Sequence, residues 1–407
     1  MTQTSVDVPQ APPAPRLPIG PLLALSSAAF LAIMTEALPA GILPAVSRSL
    51  SVSEAAAGQI VTIYAVGSVL GAVPLTAASV GWNRRRVLLT ALAGFVLTNT
   101  VVAFSTGYSL TMSARFVNGV AAGMLWSLMA GYAQRLVRPE QRGRATAIAL
   151  AGTPVALSVG VPVGTFAAGL VGWRWTLGAI SALTLLLIAW VVAGVPDRPG
   201  QARQGRASLA GAIARPGVVP VLATALAFVL AHNVLYTYMA PFLAGTRPGS
   251  RVDTVLLAFG VSSLISIWLT GVLIDRHLRP LVLGSIVLFT VAATTLAVFS
   301  GLAWVVYVAV AAWGFAFGGA APLLQTAAAE AGGDDVVDVI QSMIVTTWNL
   351  GIGAGAILGG ILLSRAGPTA LAWVPAGLLT VSLGIALSAR THAFPTLQRR
   401  ATRQPAP

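Results

Sequence analysis

Two residues with chemistry to do, Glu36 and Arg115, lie inside long apolar stretches of this chain. An ionised group in hydrocarbon loses its hydration, at roughly 2.5–3.5 kcal/mol on insertion scales, so such residues face a bundle interior or a wet cavity and mark function by default. Glu36 sits near the middle of residues 32–46, AIMTEALPAGILPAV, where an acid could exchange protons; the rival reading is an acid paired or neutralised for packing. Arg115 lies within two turns of the start of its stretch, so it could instead snorkel to the interface. His232, beside Asn233, has the side chain suited to titration near physiological pH, or it serves as a hydrogen-bonded structural imidazole. Pro39, Gly41 and Pro44 predict a kink or break just past Glu36.

Composition fixes the setting for these groups. Of 407 residues, 56% are hydrophobic and 9% charged, against roughly 25% charged in soluble domains, so the chain is a polytopic membrane protein. All 24 basic residues counted as Lys+Arg are arginine. Without lysine there is no P-loop, whose chemistry needs the lysine at the phosphates, so any pumping here is not driven by the chain's own ATPase. There is no cysteine, hence no disulfide, thiol chemistry or thiolate metal site. The net charge of +13 comes from arginines in short loops, a topogenic pattern rather than a nucleic-acid stripe.

Taken in order, residues 1–17 read as a Pro-rich disordered tail, 18–195 as a six-helix half, 196–217 as a basic cytoplasmic linker, 218–389 as a second six-helix half, and 390–407 as a basic tail. The predicted spans are 19–46, 53–80, 87–104, 109–136, 145–171, 176–195, 218–243, 254–274, 280–300, 303–328, 336–363 and 369–388. Ser51 to Glu54, SVSE, reads as an N-cap with its acid at the start of the second span. With both termini cytoplasmic, 18 arginines fall on that side, five on the other, and Arg115 within the membrane, which sets the orientation by the positive-inside rule.

The halves read as repeats. Pro44 meets Pro241 and Glu36 meets Asn233 at an offset of 197; Gly119, Gly123 and Arg84 meet Gly314, Gly318 and Arg279 at 195; Gly164, Gly169 and Arg174 meet Gly355, Gly360 and Arg365 at 191. Both halves start on the same side, giving a parallel six-plus-six arrangement, which places substrate near the midplane between halves that rock. The second half has Asn233 and Val310 where the first has Glu36 and Arg115, so titratable chemistry is concentrated in the first.

The motifs TEALPAGILPAVSRSLSVSEAAAGQIVTIYAVG, WNRRRVLL, RFVNGVAAGMLWS and GVPVGTFAAGLVGWRW resemble the major facilitator superfamily over about residues 19 to 390, and within it the twelve-span drug:proton antiporter branch with its chloramphenicol-type and sugar efflux exporters. The fold this implies is all-α integral membrane, twelve transmembrane helices in two six-helix parallel pseudo-repeats. The implied function is export of drug-like or sugar-like small molecules by proton antiport with alternating access; uptake of a metabolite and a non-transporting membrane sensor are the alternatives. Nothing points to an enzyme. Proton coupling falls to Glu36 and Arg115. A cytoplasmic gate falls to Arg84, Arg85, Arg86, Asp275 and Arg276, the family's Asp-Arg pair surviving only as Asp275-Arg276, since its first-half positions are Val80 and Gly81.

Hinge and packing positions are Gly119, Gly123, Gly160, Pro162 and Gly164, where small residues permit close helix contact. Candidate cavity walls are Tyr64, Asn118, Trp126, His232, Asn233, Tyr236, Trp268, Gln325, Trp348 and Asn349, each with helix packing as its plain alternative. The implied partners are a small-molecule substrate, protons and the lipid bilayer, with no nucleic acid, no metal, no cofactor beyond the proton gradient, and a monomer in the inner membrane of a bacterium.

Overall fold

A computed structural model describes residues 17–79, 81–138, 141–199, 209–246, 251–333, 337–391 and 393–394. Both expected tails, apart from their inner ends, and residues 200–208 of the expected linker lie outside the described residues. Within them, twelve helices are long and apolar enough to cross a membrane, as roughly 20 apolar residues suffice. The first six spans are α1 (Ile19–Leu50), α2 (Glu54–Ser79), α3 (Arg84–Phe104), α4 (Tyr108–Arg135), a composite fifth span, and α8 (Trp173–Gly194). The fifth consists of α5 (Arg142–Leu150), α6 (Gly152–Val155), a π-helical segment (Ala156–Gly160) and α7 (Val161–Val171). After the short α9 (Leu209–Ile213) come α10 (Val218–Thr237) with α11 (Met239–Thr246), α12 (Val252–Phe299), α13 (Ala303–Gly318) with α14 (Ala320–Gly332), α15 (Val337–Ala366) and α16 (Ala370–Ser388). Non-helical backbone at His277 (φ −128°, ψ 30°) divides α12 into the eighth and ninth spans.

Local sequence explains two of these features. The Ser53 hydroxyl accepts from the Ala56 amide at 3.1 Å and opens α2, which places the cap on Ser53 within the expected SVSE stretch, while Ser51 ends α1. Pro162 has no N–H for the carbonyl of Ser158, and the π segment sits just there, as π-bulges relieve an interrupted helix. A break past Glu36 is not found: α1 is one continuous helix through Pro39 and Pro44. The break falls in its twin instead, at Tyr238 (φ −109°, ψ 24°), three residues before Pro241.

The repeat is visible in the backbone. A side chain at Gly119 would collide with the Tyr64 carbonyl of α2, and one at Gly314 with the Phe259 backbone of α12, so the second and fourth spans approach as the eighth and tenth do. Gly172 (φ 90°) and Gly367 (φ 80°) turn the chain between the last two spans of each half, and they are 195 apart. This corrects the offset of 191 read from the sequence. Arg174 follows its turn whereas Arg365 precedes its own, so the two arginines are not counterparts.

The halves meet along a seam at the end of the bundle that carries the α1–α2 turn. Tyr238, buried at the break in the seventh span, donates to Ala356 O of α15 at 2.8 Å and lies 3.4 Å from Ala55 O of α2. Gln59 of α2 reaches Tyr238 at 3.5 Å and Ala356 O at 3.4 Å, and Thr62 reaches Gly353 O at 3.3 Å. Gly58, Gly359 and Gly360 have no side chain where the Tyr238 ring lies. At the fifth and eighth spans, Gly260 packs on the Ser158 backbone.

Two outcomes follow. Gly119→Ala should lower the thermal midpoint by the equivalent of about 1–3 kcal/mol, the usual cost of overpacking, whereas Gly131→Ala in the same helix, with open space around it, should not; thermal unfolding in detergent compares them. Tyr238→Phe removes the seam's hydroxyl, about 1 kcal/mol. Because the chain has no cysteine, one introduced at Thr62 should react several-fold faster with a membrane-impermeant maleimide in that background.

Candidate functional site

Arg115 crosses from α4 to two other helices. Its Nη1 donates to Thr35 O of α1 at 2.8 Å and its Nε to Ile60 O of α2 at 3.3 Å, while its guanidinium carbon lies 4.7 Å over the Tyr64 ring. It is 3% exposed, which rules out snorkelling. The Thr35 carbonyl accepts this bond because its helical partner would be residue 39, and Pro39 has no N–H. The proline read as a helix breaker thus leaves an acceptor free for a cation.

Glu36, the next residue of α1, is half-buried and within electrostatic reach of Arg115 and of the Tyr64 hydroxyl. The hydroxyl faces the carboxylate without closing a hydrogen bond of strict geometry. No ion pair within 4.0 Å joins Glu36 to Arg115 among the described residues; Arg115 Nη2 is buried without a partner. The acid is therefore compensated at a distance and free to exchange a partner, while the cation is tied to backbone.

Behind them runs a buried amide chain: Asn118 Nδ2 donates to Asn99 Oδ1 at 2.8 Å, and Asn99 Nδ2 to Thr35 Oγ1 at 3.0 Å. Asn118 is fully buried, a link joining α4, α3 and α1 rather than an open wall. Thr35 and Asn99 were missed from sequence; neighbouring Glu36 and the amide spacing relative to Asn118 were the available signals.

In the second half, His232 and Tyr236 of α10 belong to a buried ring cluster. The imidazole stacks on Phe317 (3.5 Å between centroids, 10°) and stands 5.0 Å from Tyr236 and 5.3 Å from Trp313. Half-buried Trp348 lies 5.8 Å from Phe317. Sequence reading missed Trp313 and Phe317, although Trp313 is the counterpart of Asn118 at the offset of 195. Asn233 and Asn349 bond within their own helices, to Val229 O and Val345 O. Trp126 is half-buried and Gln325 exposed. Trp268, expected on the cavity wall, is 70% exposed and stands apart from the ring cluster; hydropathy names a span and not its inward face.

Of the expected gate residues, Arg84 and Arg85 are held by their own half. Asp197, past α8, accepts from Asn83 Nδ2 at 2.8 Å and from the Arg85 amide at 3.3 Å. Arg85 Nη1 reaches Val192 O and Val195 O at 3.4 and 3.5 Å, and the Arg84 amide donates to Arg198 O at 2.8 Å. The carboxylate missing at Val80-Gly81 is thus supplied at this turn by Asp197. Arg86 and Arg276 are exposed, and the Asp275 side chain lies outside the described residues. Of the packing positions, Gly160 and Gly164 abut Met34 and Leu38 of α1; Gly123 and Pro162 are buried. No three His, Asp or Glu side chains are grouped to hold a metal among the described residues.

Comparison with known proteins agrees with this architecture. The family model described as Major Facilitator Superfamily matches residues 25–337 and 248–407. A chloramphenicol efflux pump of Mycobacterium tuberculosis is 32% identical over 391 residues, covering 92% of this chain and 94% of the relative. A protein of Pseudomonas aeruginosa named as the transcription regulatory protein OpdE is 29% identical, covering 91% and 94%. A "Probable sugar efflux transporter" of Helicobacter pylori is 26% identical, covering 88% and 92%. The solved structure of a bacterial homologue of the human lysosomal transporter Spinster, inward-facing and unoccupied, superposes with a TM-score of 0.69 at 14% identity, over 97% of this chain and all of that one. With twelve spans in two matched sets of six and a family model reaching from the first span to the last, this chain belongs to the Major Facilitator Superfamily.

Proposed function

We propose that this protein exports small drug-like or sugar-like molecules in exchange for protons, with Glu36 as the proton-carrying group. The observation that carries the reading is the arrangement at the centre of the first half. Glu36 is half-buried, with the Tyr64 hydroxyl and the Arg115 charge in reach but no ion pair among the described residues, whereas the neighbouring guanidinium is committed to two backbone carbonyls. A carboxylate with a compensating charge nearby but no fixed partner can lose and regain a proton as access changes; one locked in an ion pair could not do so cheaply. Arg115 positions the pair by tying α4 to α1 and α2. The efflux activities named for the mycobacterial and Helicobacter relatives support export.

The distribution of arginines favours cytoplasmic termini in a bacterial inner membrane. In that orientation the Tyr238 seam lies at the outer end, so closure there and access from the cytoplasm describe one stage of an alternating-access cycle. The proton gradient is the energy source, with no cofactor and a single chain as the working unit.

A second reading, a membrane regulator without transport, is favoured by the name of the Pseudomonas relative. Inverted vesicles separate the two. Adding chloramphenicol or a sugar panel should dissipate an imposed pH gradient in vesicles carrying this protein; a gradient unmoved by every compound would favour the regulator. Glu36→Gln should cut substrate-driven proton movement at least about tenfold, and transport left at its original rate would remove Glu36 from the coupling. Arg115→Ala leaves Thr35 O and Ile60 O without their donor and should reduce both transport and folded yield, at about 1–3 kcal/mol; drug resistance and yield measured together check this.

A further inference from the structure

The two halves treat equivalent buried polar positions differently. Thr35 and Asn118 correspond, at offsets of 197 and 195, to His232 and Trp313. In the first half Asn99 joins its pair through hydrogen bonds of 3.0 and 2.8 Å. The counterpart of Asn99 is Thr294, whose hydroxyl donates to Thr290 O of its own helix at 2.9 Å. The second half therefore has the two ends of a polar relay without its middle. His232 Nδ1, Tyr236 Oη and Trp313 Nε1 are all buried with no partner, and they belong to one cluster of rings. A buried polar atom left unpaired is costly in an apolar setting, and three within one cluster are a standing set of hydrogen-bonding positions. Indole offers only a donor, phenol a donor or acceptor, and imidazole one of each.

We infer that this cluster is the substrate's aromatic subsite: it takes an uncharged, planar aromatic portion carrying hydrogen-bond acceptors such as nitro or carbonyl groups. The ring enters beside half-buried Trp348 and Phe317, which is 9% exposed, stacking as aromatic pairs do. Trp313 Nε1 and the Tyr236 hydroxyl donate to its acceptors, and the His232 imidazole holds the stack through Phe317. The described rings around His232, from α10, α12 and α13, are Tyr236, Phe259, Trp313 and Phe317, none of them charged, so an ionised substituent would find no counter-charge in this shell. The intramembrane charges, Glu36 and Arg115, are in the other half. The inference rests on the export reading and adds the class of molecule exported.

The test uses the purified full-length protein in lipid nanodiscs without any gradient. The probes are 4-nitrobenzyl alcohol and its saturated counterpart cyclohexylmethanol, followed by saturation-transfer NMR. The aromatic probe should bind and the saturated one should fail to compete at equal concentration. Trp313→Phe and Tyr236→Phe, which keep the rings, should each weaken binding at least fivefold, and Trp348→Leu at the rim should do the same. Should Trp313→Phe fail to fold, the other two variants carry the test. Equal binding of the saturated alcohol, or unchanged affinity in the folded variants, would overturn the inference. Binding without proton movement in vesicles would leave the subsite standing and reject export; drug-driven proton movement without aromatic binding would do the reverse.

Discussion

The contact between Arg115 and the Thr35 carbonyl, 2.8 Å long, is the point around which the first half is organised. In hydrocarbon no polar group can be left to solvent, so a guanidinium at mid-bundle must find acceptors inside the protein, and helices have few to spare. Pro39 provides one by having no N–H for Thr35. One missing proton on an imide nitrogen thus lets a cation be held at the centre, which in turn leaves Glu36 beside it without an ion pair among the described residues. The other contacts of the guanidinium, with Ile60 O and the Tyr64 ring, join the second span to the first and fourth.

Duplication gave both halves the same scaffold, and their interiors have diverged upon it. Close backbone approach at Gly119 and at Gly314 reproduces the same helix pairing, and the turns at Gly172 and Gly367 share a positive φ. Chemistry has been divided between them: charge and amides in the first, rings in the second. The break in the helical path also moved, sitting at Tyr238 in the second half and absent from α1. The proline is therefore common architecture with two uses, freeing an acceptor in one half and accompanying a discontinuity in the other.

The twelve spans were legible because twenty-residue apolar runs separated by arginine-bearing turns leave little ambiguity, and each span begins or ends within a few residues of its expected place. Glu36 and Arg115 were legible because charge in such runs is rare. Orientation around a helix axis was not: Trp268 and Trp313 have the same residue type in equally apolar surroundings, yet one is 70% exposed and the other fully buried. Periodicity cannot resolve this when lipid and core are both apolar, since the amphipathic stripe that reports an inward face in soluble helices is absent. Asp197 was also out of reach, because its partners at Asn83 and Arg85 are over a hundred residues away. Tyr238 and Gln59 could be suspected only from the glycines opposite them.

The seam at Tyr238 has a further consequence. Apart from the bond to Ala356, its hydrogen bonds are 3.3 Å or longer, beyond the usual range for strong ones, and much of its surface is backbone bared by glycine. A net hydrogen bond contributes about 0.5–1.5 kcal/mol. One elementary charge crossing 100 mV represents about 2.3 kcal/mol. If the halves rock as proposed, carrying Arg115 or Glu36 through part of the field would act on the same energy scale as the contacts of the seam, so the proposed cycle would respond to the voltage across the membrane as well as to its pH difference.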